Sequence, residues 1–67
     1  LLEFQQRVVK EKAELQHKLA ALQTFIHTSD IFKMLPDDEQ ARLRMQHHIM
    51  KLYELILSER IANFNRC

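Results

Sequence analysis

Apolar residues recur at helical spacing along most of the chain. Phe4, Val8, Leu15, Leu19, Leu22 and Ile26 follow one another at steps of three, four or seven, the repeat that lines one face of an α-helix. The pattern predicts a first helix over about residues 3–27. Val9, Ala13 and Ala20 form a second stripe of smaller residues beside it, and small side chains let another helix approach closely.

The pattern then breaks at Thr28-Ser29-Asp30, three residue types that cap helices, which opens a connector over residues 28–35. Ser29 is expected to cap a single turn through Ile31, Phe32 and Lys33, its hydroxyl accepting from an otherwise unpaired backbone N–H. Ile31, Phe32, Met34 and Leu35 are expected to plug the closed end of a hairpin. A second long helix is expected over about residues 36–64, with Pro36 in its first position, where a missing N–H costs nothing. Asp37, Asp38 and Glu39 then set negative charge on the positive end of the helix dipole. Asn63 and Asn65 are candidates for its C-terminal end.

This second helix carries two apolar stripes. Met45, Ile49, Leu52 and Ile56 form one; Leu43, Met50, Leu57 and Phe64 form the other, with Tyr53 and Ile61 filling in. A hairpin partner covers one stripe only, so the other calls for a second chain. The expected architecture is therefore all-α: one domain over residues 1–67, an antiparallel hairpin of two long helices with a short helical turn in the connector, assembled as a homo-oligomer. Composition agrees. There is no glycine and a single proline, which disfavours hairpin-rich sheets, and at 67 residues a lone hairpin buries too little to be secure.

Ten basic and nine acidic side chains leave a net charge of +1, which argues against a DNA-binding protein. The longest apolar runs are too short for a membrane span, as at Leu55-Ile56-Leu57. The one cysteine, Cys67, cannot staple the fold and fits a reducing cytosol. The chain opens on Leu1 rather than methionine, so native residues are expected to precede it.

Candidate chemistry is sparse. His47 and His48 are adjacent and point about 100° apart on a helix; the useful chelating offsets hold Arg44 and Lys51, so neither a metal nor another cofactor is expected. No nucleophile elbow or glycine-rich phosphate loop is present, and the chain reads as a non-enzyme. Glu3–Arg7 and Glu14–Lys18 stand at i,i+4 in the order that favours ion pairing. A hairpin centred near residues 31–33 sets Phe4 opposite Arg60, and Arg7 opposite Leu57 and Ile61. Its open end then gathers Phe4, Arg7, Lys10, Arg60 and Phe64. Rings beside cations can hold a nucleotide, the ring stacking on a base and the cations meeting phosphate; the same residues also suit an ordinary protein interface.

Several segments resemble a family of small phage proteins. They are the opening Phe4-Gln5-Gln6-Arg7-Val8-Val9-Lys10-Glu11-Lys12-Ala13-Glu14-Leu15, the Phe25-Ile26 that closes helix one, the connector Leu35-Pro36-Asp37-Asp38-Glu39-Gln40, and Met50-Lys51-Leu52-Tyr53 with Ile56-Leu57-Ser58-Glu59-Arg60-Ile61. The family is that of phage anti-CBASS proteins, cyclic-oligonucleotide sponges. The resemblance implies a helical homohexamer in the host bacterial cytoplasm. It implies sequestration, without cleavage, of cyclic dinucleotides such as cyclic GMP–AMP, with cyclic trinucleotides at a separate site in some members. It assigns base stacking to Phe4, phosphate contact to Lys18 and a trinucleotide role to Arg60. The family aromatic is typically a tyrosine, so Phe4 lacks its hydroxyl. The competing expectation is a helical-hairpin adaptor that grips another protein's helix and has no small-molecule ligand.

Overall fold

A computed structural model describes residues 1–64. Two 26-residue helices, α1 (Glu3–Thr28) and α3 (Asp37–Ala62), lie against each other as an antiparallel hairpin. The five-residue α2 (Asp30–Met34) turns the chain between them. The molecule measures 48 × 15 × 14 Å. One helix with its side chains is about 10–12 Å across, so the core is a single seam between two cylinders.

That seam is built from one stripe of each helix. Val8, Leu15 and Leu57 form its centre, and Met50, Ile61 and Phe64 pack around them. Leu57 is only 1% exposed. Of the two α3 stripes, the one at steps of seven faces inward, and Met45, Ile49, Leu52 and Ile56 remain exposed. Tyr53 departs from the sequence reading. It is exposed and borders the uncovered side, because its position lies about 40° around the helix from Leu57 and about 40° from the exposed Ile49, between the two stripes. Leu55 joins the same exposed face.

The closed end is narrower than expected. Phe32 is 2% exposed and meets Phe25 edge to face at 5.9 Å, but Ile31 and Met34 point outward, Met34 at 82% exposure. One helical turn can aim only part of its circumference at the hairpin, and Phe32 takes that place. Ser29 caps α2 as expected, its hydroxyl accepting from the Ile31 N–H at 3.1 Å. Pro36 stands one position earlier than expected: it is the N-cap of α3, and Asp37 is the first helical residue. The Gln40 side-chain amide ties the connector down, donating to the Leu35 carbonyl at 2.9 Å and the Lys33 carbonyl at 3.3 Å.

At the far end of α3, Asn63 is the C-cap, its backbone N–H bonded to the Glu59 and Arg60 carbonyls. Asn65 and Cys67, singled out from the sequence, lie outside the described residues. Among the described residues no helix is long and apolar enough to cross a membrane.

The seam makes a direct prediction. Leu57→Ala removes the most buried side chain and should cost about 2–5 kcal/mol of unfolding free energy. Met34→Ala, on an exposed side chain, should stay within about 0.5 kcal/mol. Urea titrations followed by circular dichroism would read both, and equal losses would contradict the seam described.

Candidate functional site

The N-terminus of α1 is held by its own side chains. The Gln5 carbonyl oxygen accepts from the Leu2 backbone N–H at 2.9 Å, and the Gln6 amide donates to the Leu1 carbonyl at 2.9 Å. Gln5 is buried, a placement its polarity hides from a hydrophobic-pattern reading. This capping orders the turn that carries Phe4.

Phe4 packs edge to face on Phe64, with ring centroids 6.2 Å apart. Its ring contact is thus one helical turn beyond Arg60, the residue set opposite it by the simplest hairpin register. Phe4 remains 47% exposed, so part of the ring is open to an incoming base. Arg7 is tied to its own helix, its guanidinium 3.4 Å from Glu3. Both members of that pair are exposed, and such a pair is worth little and opens readily. Arg60 is exposed in the last turn of α3, and among the described residues no carboxylate lies in ion-pairing reach of it.

Lys18 stands apart. It is 14 residues beyond Phe4 on the same helix, about 21 Å along the axis at 1.5 Å per residue. Fourteen residues are close to four whole turns, so the two side chains share a face of α1 while lying at different levels. The expected Glu14–Lys18 ion pair is not formed among the described residues; two long exposed side chains gain too little from pairing to be held together. Lys18 instead lines a mostly apolar groove of about 350 Å³ with Ala13, Glu14 and His17. All four residues come from α1, so the groove is the flank of one helix, open along its other side. Ala13 keeps that flank low.

A second groove, about 460 Å³, lies on α3 between His48, Lys51, Leu52, Glu54, Leu55 and Ser58. In the sequence, His48 and Lys51 stand out for their failed metal spacing, and Lys51 also within Met50-Lys51-Leu52-Tyr53. The signal that finds them is the exposed Leu52–Leu55 patch beside a free ammonium. Among the described residues no cluster of three metal-ligating side chains occurs. The acidic start of α3 is occupied by a local network: Arg42 reaches Glu39 at 2.8 Å and Asp38 at 3.1 Å. Those bonds, Glu39's first, push the Arg42 guanidinium further above its ordinary range.

The chain thus offers one exposed ring over Phe64, exposed cations at several levels, and open grooves. None of these grooves encloses a ligand within one protomer. Replacing Phe4 with leucine keeps an apolar side chain but removes the ring pair, and should cost about 0.5–1.5 kcal/mol of stability; a melt unchanged from the parent would mean the Phe4–Phe64 contact is not made in solution.

Residues 2–63 match the model of a family described as Sequestin. No curated protein and no solved structure matches the chain significantly.

Proposed function

The chain belongs to the Sequestin family, and from that premise we propose that it captures a nucleotide second messenger and holds it intact. The family match over residues 2–63 carries this reading; the family name denotes sequestration, and it fits the resemblance to phage cyclic-oligonucleotide sponges. Cyclic dinucleotides are the first candidate ligands, with cyclic trinucleotides next. In this reading the protein blunts a CBASS-type defence in the host bacterial cytoplasm by lowering the free messenger concentration, and no bond of the ligand is broken.

The chemistry on the surface supports it. A base is recognised by stacking on an aromatic face, and Phe4 is 47% exposed. Phosphates are recognised by cations that are not already paired, and Lys18 and Arg60 meet that description among the described residues. Arg7 is one weak ion pair away from joining them. A sponge needs affinity and abundance rather than a general acid or base.

Phe4 and Lys18 are too far apart along α1 for one small ligand to touch both in one protomer. The proposal therefore draws them from different copies of the chain. The uncovered apolar side of α3, from Met45 to Ile56, is the surface on which copies would join, and a two-fold axis there would present matching groups to both halves of a nearly symmetric ligand. The resemblance implies six copies. The competing adaptor reading uses the same apolar side for a different protein's helix.

Calorimetry with a panel of cyclic dinucleotides, cyclic trinucleotides and nucleotide messengers that join a single base to a pyrophosphate tests the proposal. Saturable heat with at least one, and recovery of unaltered ligand after denaturation, is the expected result; no heat with any would remove the messenger reading. Lys18→Ala should weaken binding by about 1.5–3 kcal/mol, and Phe4→Leu by about 1–3 kcal/mol. Light scattering separates the two readings: Leu52→Lys with Ile56→Lys should reduce a multi-chain assembly to the 8.1 kDa chain and abolish binding. A parent protein that is already a stable single chain would overturn the shared site.

A further inference from the structure

The closed end of the hairpin holds a cavity that the proposed messenger site does not use. It measures about 240 Å³ and is lined by Ile26 and His27 of α1 and by Arg44 and His47 of α3. Three of the four side chains are hydrogen-bond donors able to carry positive charge, and no carboxylate lines it. It lies 23 residues from Phe4 along α1, about 35 Å, beyond the reach of one small ligand held at the open end.

Two further observations concern the residues that line it. The His47 Nε2 atom is buried and has no hydrogen-bond partner among the described residues; a buried polar atom in this state is destabilising, and a turn of the ring toward the cavity would let a bound acceptor satisfy it. The Arg44 guanidinium has no carboxylate in reach among the described residues. It lies instead over the Phe32 ring, 5.1 Å from its centroid, a contact that steadies the planar group without using its N–H donors. The cavity is thus walled by an oriented guanidinium and two imidazoles, one of which has a nitrogen in want of a partner.

Size selects the ligand. Pockets for drug-sized molecules begin near about 300 Å³, so this cavity suits a single tetrahedral anion better than a whole nucleotide. The carbonyl end of α1 opposes an anion, but the Phe25 carbonyl there is already engaged by the Ser29 N–H, and Arg44 contributes a full charge against the helix's partial one.

We propose that His27, Arg44 and His47 form a binding site for a phosphate group at the closed end of the hairpin, separate from the messenger site. Arg44 donates a forked pair of N–H bonds to two phosphate oxygens, His47 turns its ring to donate from Nε2 to a third, and His27 closes the open side. The phosphate is either the free inorganic ion or the terminal group of a nucleotide whose remainder stays in solvent.

Titration of the full chain with inorganic phosphate, followed on the imidazole nitrogens by NMR at fixed pH and ionic strength with chloride as the replaced salt, tests the site. His17 and His48 lie outside the cavity and serve as internal references. Saturable shifts at His27 and His47, absent at His17 and His48, are expected. Arg44→Gln should weaken binding about 10- to 150-fold, and Arg44→Lys should recover part of it; unchanged backbone spectra verify that both variants fold. Adenosine monophosphate binding as well as phosphate, or better, supports the site and identifies the source, whereas adenosine competing for it overturns it. Shifts that are alike at all four histidines, reproduced by chloride, or indifferent to Arg44→Gln also overturn it. Lys18→Ala should leave these shifts unaltered, so this site and the messenger site succeed or fail independently.

Discussion

Two helices lying side by side can hide only one face of each from water. Everything else in this protein follows from that limit. The contact of Val8 and Leu15 with Leu57, extended by Met50, Ile61 and Phe64, forms the centre of the available seam, and Leu19 and Phe32 are buried beyond it. Its strength comes from apolar area removed from water, and a rod about 15 Å thick has no second layer in which to remove more. Many of the apolar side chains left over are therefore concentrated on α3, from Met45 to Ile56. Large exposed apolar patches on soluble proteins commonly mark association surfaces.

The same limit governs the chemistry. A single seam leaves little volume between the helices, so polar and cationic groups are displayed on flanks and at the two ends, with one cavity of about 240 Å³ at the closed end. Phe4, anchored on Phe64, marks one end; Arg44, anchored on Phe32, marks the other. At both, an aromatic pair or cation–ring contact holds a side chain in place without consuming its exposed face or its donors. Capture without turnover is compatible with such a scaffold, because binding asks for complementary surfaces and catalysis asks for a desolvated, convergent set of groups.

The helical elements were legible in the sequence because their periodicity is strong and their ends carry specific chemistry. Ser29 announces the short α2 through its hydroxyl, and the acids after Pro36 announce α3. Even the division of α3 into a covered and an uncovered stripe was readable, since Leu43, Met50, Leu57 and Phe64 keep one phase and Met45, Ile49, Leu52 and Ile56 another. What failed was finer. Ile31 and Met34 are as apolar as Phe32, and only the turn of α2 against the hairpin selects Phe32 for burial. Gln5 reads as a surface residue until its bond to the Leu2 N–H is seen. The candidate site was legible as a set of residue types and not as an arrangement: Lys18 falls four turns from Phe4, and the proposed ion pair with Glu14 does not form.

By itself the sequence determined the number of helices, the order in which they occur, the closing turn and the surplus of apolar surface, because each of these depends on residues close together along the chain. Tertiary structure alone decided which ring meets Phe4, that Tyr53 is exposed, and that His27, Arg44 and His47 line one cavity. Those outcomes depend on the axial register and rotation of α1 against α3. A change of one residue in either turns a side chain by about 100°, and only packing across the seam fixes them.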